Sequence, residues 1–116
     1  MLYIGVDLGT SAVKLLMMDA SCDIKKVVSR EYRLFFPQPG WSEQRPEDWF
    51  TQVMDGLKEL TAECDRSQVA GISFGGQMHG LVVLDADDQV IRPAILWNDG
   101  RTGEETDYLN TVIGKD

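Results

Sequence analysis

An apolar run, Leu2-Tyr3-Ile4-Gly5-Val6, stops at Asp7, turns through Leu8-Gly9-Thr10-Ser11 and resumes as a second apolar run from Val13 to Met18. Short apolar runs bounded by turn residues are consistent with buried strands. Only Lys14 interrupts the second run, so the glycine turn joins strand to strand. That excludes a P-loop, in which the turn opens a helix and carries Gly-Lys-Ser/Thr. After a further turn at Asp19 to Asp23, Ile24 to Phe36 reads as a third strand, rich in the strand-favouring Val27, Val28, Tyr32, Leu34 and Phe35. The N-terminal third of the chain thus predicts a three-stranded antiparallel meander.

Pro37, Pro39 and Gly40 break the pattern. A helix is predicted from Pro46, a residue suited to a first helical position, with Glu47 and Asp48 favourably placed toward the positive end of the helix dipole. Trp49, Val53, Leu57 and Leu60, joined by Phe50 and Met54, recur at helical spacing, and the helix ends before Asp65. Val69 to Phe74 is the next strand, closed by Gly75-Gly76. Leu81 to Leu84 and Val90 to Leu96 predict a hairpin around Ala86-Asp87-Asp88, and Glu104 to Val112 a last helix. Leu16-Met17-Met18-Asp19-Ala20 echoes Val82-Val83-Leu84-Asp85-Ala86, as if two hairpins met the same turn problem. Trp41, Trp49, Met17, Met18 and Met54 are expected in packing.

These elements define an α/β chain with a mixed sheet. Its second face lacks helices to enclose it, so the 116 residues are expected to be part of a larger protein. The net charge of −8 argues against nucleic acid as the main partner, because phosphate-backbone binding needs a basic face. It leaves nucleotides open, since a metal ion and backbone N–H groups can neutralise phosphates. Two cysteines, Cys22 and Cys64, and one histidine offer neither a disulfide framework nor a zinc-ligand spacing. No apolar run reaches membrane-spanning length and no secretory leader is visible. The expectation is a cytoplasmic protein with reduced thiols and neither a nucleic-acid nor a membrane partner.

Three segments carry chemistry. In Asp7-Leu8-Gly9-Thr10-Ser11, glycine permits close backbone approach to a phosphate, the hydroxyls of Thr10 and Ser11 donate, and Asp7 can hold a hydrated Mg²⁺. Lys14 adds a point charge for the same phosphates. The plainer alternative is an ordinary hairpin turn. Gly75-Gly76-Gln77-Met78-His79-Gly80 follows a strand, where ligand loops of α/β sheets sit; Gln77 and His79 both donate and accept, unless the loop is merely flexible. Trp97-Asn98-Asp99-Gly100-Arg101 sets an aromatic face beside polar groups, suiting a polyhydroxylated ligand, unless Trp97 is core and the rest a turn.

Taken in order, the three segments are more specific than any one. Ile4-Gly5-Val6-Asp7-Leu8-Gly9-Thr10-Ser11 resembles the first phosphate motif of the actin, sugar-kinase and Hsp70-type ATPases. With Trp41-Ser42-Glu43-Gln44, Pro46-Glu47-Asp48-Trp49, Gly71-Ile72, Gly76 to Gly80 and Ala94 to Arg101, the chain resembles the FGGY carbohydrate kinases throughout its length. The resemblance implies a ribonuclease-H-like fold, with residues 1–116 forming the first part of the family's N-terminal domain. It implies transfer of phosphate from ATP, with Mg²⁺, to a sugar hydroxyl. Asp7 would act catalytically and at the metal; Gly9, Thr10, Ser11 and Lys14 would face the phosphates; Gln77, Met78, His79, Trp97, Asp99 and Arg101 would face the sugar. Met78-His79 stands where glycerol kinases carry Arg-Glu, which disfavours glycerol; the acceptor the resemblance implies is D-xylulose, with gluconate or another sugar of the family as the alternative. A catalytically silent, actin-like nucleotide switch is the alternative of another class. The family's general base falls later than residue 116, so these residues alone are expected to be inactive; a homodimer is one form open to the full-length protein. Arg45, where related chains often carry Asp, is expected to cost a helix cap.

Overall fold

The computed structural model describes residues 1–114. Strands β1 (Leu2–Leu8), β2 (Ala12–Asp19) and β3 (Ile24–Glu31) form the antiparallel meander, with Leu2 opposite Asp19 and Leu8 opposite Val13. The period-2 alternation sends Ile4, Val6, Val13, Leu15, Met17 and Val28 to one face, where they bury with Tyr32 and Leu60. Each fully buried aliphatic side chain contributes about 1.5–3 kcal/mol, so this cluster dominates the stability of the unit.

Helix α1 (Pro46–Leu60) covers that face and packs on β2 and β3. Its first turn has no side-chain cap from Arg45, in line with the sequence reading. Its last turn is tied to the sheet instead. Lys26 Nζ donates to the Glu59 carbonyl at 2.8 Å, and Arg30 reaches Gln52 Oε1 at 2.8 Å and Glu59 Oε2 at 3.2 Å. A cation at the helix C-terminus also suits the dipole. Gly56 lets the helix lie close, since a Cβ there would stand 2.6 Å from Leu15 Cδ1. The close approach offsets the conformational cost of a mid-helix glycine.

Strand β5 (Val69–Gly76) returns parallel to β1, pairing Leu2 with Val69 and Leu8 with Gly76. The sheet order β3-β2-β1-β5 is mixed, the start of a ribonuclease-H-like sheet. Ile72 and Phe74 on β5 stay exposed, as does Val27 on β3. A second small sheet joins β4 (Glu43–Gln44) to β6 (Ala94–Ile95) and brings residues 41–44 beside residues 96–101. Helix α2 (Gly103–Tyr108) runs into a π-helical turn, Leu109–Ile113. Among the described residues, no helix is long and apolar enough to cross a membrane.

Four expectations need correction. The third strand stops at Glu31 rather than Phe36, because its partner β2 begins at Ala12 and offers nothing to pair beyond it. Phe35 pairs instead with Glu43. The Gly75-Gly76 pair lies within β5, not after it. The 81–96 hairpin is reduced to bridges at Leu84–Val90 and Leu81–Ile95. Met54 is 39% exposed and outside the buried core, and Trp41 stacks under the Arg101 guanidinium, 3.7 Å from its ring centre, rather than entering the core.

The repeated Asp-Ala turns are the same device twice. Asp19 accepts from the N–H groups of Ser21 and Asp23, with Cys22 at φ 65°. Asp85 accepts from the N–H groups of Asp87 and Gln89, with Asp88 at φ 60°. In each, the carboxylate satisfies the backbone of a loop that must pass through the left-handed region.

Candidate active site

The phosphate-type turn between β1 and β2 is tightly closed. Gly9 N–H donates to the Ala12 carbonyl at 3.0 Å. A Cβ on Gly9 would stand 2.9 Å from that same oxygen, so any other residue forces the turn open. Tyr32, just past β3, puts its hydroxyl between the carbonyls of Gly9 and Ala12, and its own N–H donates to the Ser11 carbonyl. Burial, and secondarily the negative charge of Asp7, push the Tyr32 phenol up to about 12. It therefore stays a neutral donor through the physiological range.

The Gln77 loop leaves the neighbouring strand at the same sheet end. Gln77 N–H donates to the Leu8 carbonyl at 2.8 Å, extending the β1–β5 ladder by one bond. Gly76 makes that approach feasible, since a Cβ there would lie 2.9 Å from the Leu8 oxygen. His79 adopts φ 64°, a conformation uncommon for a non-glycine residue and enriched at ligand loops. Trp97 is 56% exposed, not core, and its indole N–H donates to Thr10 Oγ1 at 3.2 Å.

These segments converge on a cleft of about 410 Å³ lined by Asp7, Gly9, Thr10, Gly76, Gln77, Met78, His79 and Trp97. Residues 90 positions apart thus line one cleft. Asp7 forms no side-chain hydrogen bond or ion pair among the described residues, and Met78 is exposed. Other expected residues lie elsewhere. Lys14 sits opposite Asp7 across the β1–β2 pair and does not line the cleft; it lines a neighbouring hollow with Gly5, Ser73 and Gly75, which Asp7 also borders. Ser11 is exposed at the turn and does not line the cleft.

Asp99 and Arg101 are held away from the cleft in an ion-pair network. Asp99, with its side chain 2% exposed, accepts from Ser42 N–H at 2.6 Å and from Arg101 Nε and Nη2 at 2.8 and 2.7 Å. Arg101 Nη2 also meets Glu43 Oε2 at 2.8 Å, which Arg92 shares at 2.7 Å. Asp99 N–H donates to the Leu96 carbonyl and Gly100 N–H to Gly40. The network therefore folds the 96–101 segment against β4 and fixes Trp97 where it faces Thr10. Hydrogen bonds from the Arg101 guanidinium hold the Asp99 carboxyl well below the ordinary carboxylate range, despite the opposing effect of burial.

That depression has a pH consequence. In the unfolded chain Asp99 titrates near 3.8. Its stabilising contribution is complete above that value and is lost as pH falls through the lower folded value. The melting temperature should drop on acidification below about pH 4, and Asp99→Asn should be less stable at neutral pH with a shallower acid slope. An identical slope in wild type and variant, read by circular dichroism melts, would show that Asp99 plays no part in acid stability.

Two residues essential to this geometry carry no catalytic signature. Tyr32 reads in sequence only as a strand former. Gln44, 1% exposed, sends Nε2 to the Thr10 carbonyl, while its Oε1 accepts from Trp49 Nε1 at 2.9 Å and Gln77 Nε2 at 3.1 Å. The one available signal is a consecutive polar stretch, Ser42-Glu43-Gln44, just before a helix proline.

A phosphate-type hairpin and a polar loop meeting at one end of a ribonuclease-H-like sheet define the class of actin-like and sugar-kinase ATPase domains. Residues 2–116 match the N-terminal domain of the FGGY family of carbohydrate kinases, and the chain belongs to that family. It is 48% identical over 113 residues to the xylulose kinase of Bacillus subtilis, covering 96% of this chain and 23% of that protein. The chain thus spans about a quarter of the length of the first curated relatives it matches. The crystal structure of a xyloylose kinase from Brucella ovis superposes with a TM-score of 0.90 at 41% identity, over 96% of this chain and 24% of that one. A gluconate kinase from Lactobacillus acidophilus gives 0.91 at 30% identity, over 98% of this chain and 23% of that one.

Proposed function

We propose that these residues form the first part of the N-terminal domain of a kinase that phosphorylates the terminal hydroxyl of D-xylulose from ATP in the cytoplasm. The observation that carries this reading is the shared cleft, with Asp7, Gly9 and Thr10 on one wall and Gln77, Met78, His79 and Trp97 on the other. A nucleotide switch of the actin type has no need of the second wall.

In this reading, Gly9 and Thr10 take the nucleotide phosphates, the thioether of Met78 and the face of Trp97 pack the apolar faces of the sugar, and His79 and Gln77 bond its hydroxyls. Lys14 and Ser11 contribute charge and a donor from outside the cleft wall. The lone Asp7 carboxylate fits a hydrated Mg²⁺, which commonly takes one or two carboxylates and keeps waters and phosphate oxygens. When bound, that ion supplies neutralisation of the phosphate charge. The sugar hydroxyl oxygen bonds to the γ-phosphorus as its bond to the ADP oxygen breaks, and the hydroxyl proton passes to a base we place outside residues 1–116. Catalysis of this kind is mainly positioning and charge stabilisation, which the two walls would provide from the N-terminal side.

A panel of D-xylulose, other ketoses, gluconate and glycerol offered to the full-length protein with MgATP should give the highest kcat/KM on xylulose. Higher efficiency on gluconate would move the assignment to the second reading, which the gluconate kinase likeness supports.

His79 sharpens the test, because it is exposed and its loss leaves no core cavity. Losing one hydrogen bond of this kind costs about 0.5–1.5 kcal/mol. His79→Ala should therefore raise the sugar KM several-fold to tens-fold, with ATP affinity and melting temperature nearly unchanged. A stability loss with an unchanged sugar KM would remove His79 from the site.

A further inference from the structure

We propose that Gln44 is a positioning residue that couples sugar occupancy to nucleotide occupancy, an inference that rests on the sugar-kinase reading above. Gln44 does not line the cleft itself, yet its buried carboxamide is hydrogen-bonded to a residue of each wall. Nε2 donates to the carbonyl of Thr10 in the phosphate turn, and Oε1 accepts from Gln77 in the sugar loop and from Trp49 on α1.

The orientation of this chain of bonds follows from its ends. Trp49 Nε1 can only donate, so the atom facing it must be the Gln44 oxygen. The Thr10 carbonyl can only accept, so the atom facing it must be the Gln44 nitrogen. Gln77 must then present its own nitrogen to Gln44. Its oxygen, Oε1, is left buried with no hydrogen-bond partner among the described residues. Each carboxamide thus donates in the direction of Thr10, and the far end of the series is an unsatisfied acceptor in a residue lining the cleft.

A buried acceptor without a partner is unfavourable. A small shift of the Gln77 loop that opens Oε1 to the cleft lets a sugar hydroxyl donate to it, which relieves the acceptor and polarises the amide. That strengthens the Gln77 N–H bond to Gln44, and in turn the Gln44 N–H bond to Thr10. The turn that receives the nucleotide phosphates is then held more firmly, so less ordering remains to be done when the nucleotide arrives. The sign of the coupling is positive: sugar tightens nucleotide, and by linkage nucleotide tightens sugar by the same factor.

The experiment measures that factor in the full-length protein. The Kd of the non-hydrolysable β,γ-methylene analogue of ATP is titrated by calorimetry with and without saturating D-xylulose, and the Kd of D-xylulose with and without the analogue. Wild type should show a factor of about 5 or more, equal in both directions. Gln44→Met, which keeps the volume and removes all three bonds, should bring the factor close to one while each ligand still binds alone. A factor unchanged in Gln44→Met, or a factor of one in wild type, overturns the proposal. Should Gln44→Met fail to fold, the wild-type protein supplies the second measurement. The indole N–H resonance of Trp49, read in selectively labelled protein, should move on adding either D-xylulose or the analogue by itself. A resonance blind to one of them also overturns the proposal. Failure to phosphorylate any sugar in the panel above would instead remove the reading on which this inference rests.

Discussion

Asp7→Asn in the full-length protein should lower turnover by roughly 10²-fold or more, the scale seen when a preorganised electrostatic group at a transition state is lost. The substitution is isosteric. It removes a carboxylate that makes no side-chain bond among the described residues and lines the cleft between the phosphate turn and the sugar loop. Nothing in the fold leans on that charge, so the melting temperature should stay within a degree or two of wild type. The sugar KM should also change little, because the groups we assign to the sugar belong to the other wall. Steady-state kinetics with MgATP and D-xylulose, beside a thermal melt, check all three. Near-normal turnover would reduce the first motif to a turn.

Arg101→Leu should give the opposite profile, with stability lost first. The substitution keeps apolar bulk over Trp41 but deletes the cation that serves both Asp99 and Glu43. Arg92 still reaches Glu43, whereas Asp99 is left facing only N–H donors. A buried charge stripped of its partner is strongly destabilising, and a fall of at least about 5 °C in melting temperature is expected. Activity of the surviving fold should drop as well, since Trp97 depends on the same segment for its place beside Thr10. The Arg101→Leu, Asp99→Leu double variant should recover part of the stability, because it removes the orphaned charge. A double variant less stable than Arg101→Leu alone would show that the pair is not the source of the loss.

The meander, the helix and the parallel strand were legible in the sequence because each rests on local periodicity and on turn residues that act within four positions. Asp19 and Asp85 are the clearest case: the same short echo yields the same turn. The end of β3 was not legible, since a strand stops where its neighbour stops, and that is a property of β2 rather than of residues 32–36. The cleft residues Asp7, Gln77 and His79 could be named from motif chemistry, whereas Asp99 and Arg101 could not be placed. A polar pair beside a tryptophan reads equally well as ligand contact or as internal ion pair; only the position of Glu43, 58 residues from Arg101, decides between them. Gln44 stands in the Trp41–Gln44 motif, but its role was not legible there for the same reason. Its three partners come from the turn, the helix and the loop, and no window of sequence contains them together.

Every fully buried member of the main cluster, from Ile4 to Leu60, lies within the first 60 residues. During synthesis the meander and its helix therefore leave the ribosome with the fully buried part of their core in hand, built from near-neighbour pairings that form quickly, and Cys64 and Val69 close over it later. The phosphate turn is cast in that stage, with Tyr32 already in hand to brace it. Strand β5 and the loops that follow add on afterwards to a finished template. Order of emergence thus matches place in the cleft: the wall of Asp7, Gly9 and Thr10 is moulded first, and the wall of Gln77, Met78, His79 and Trp97 is fitted to it last.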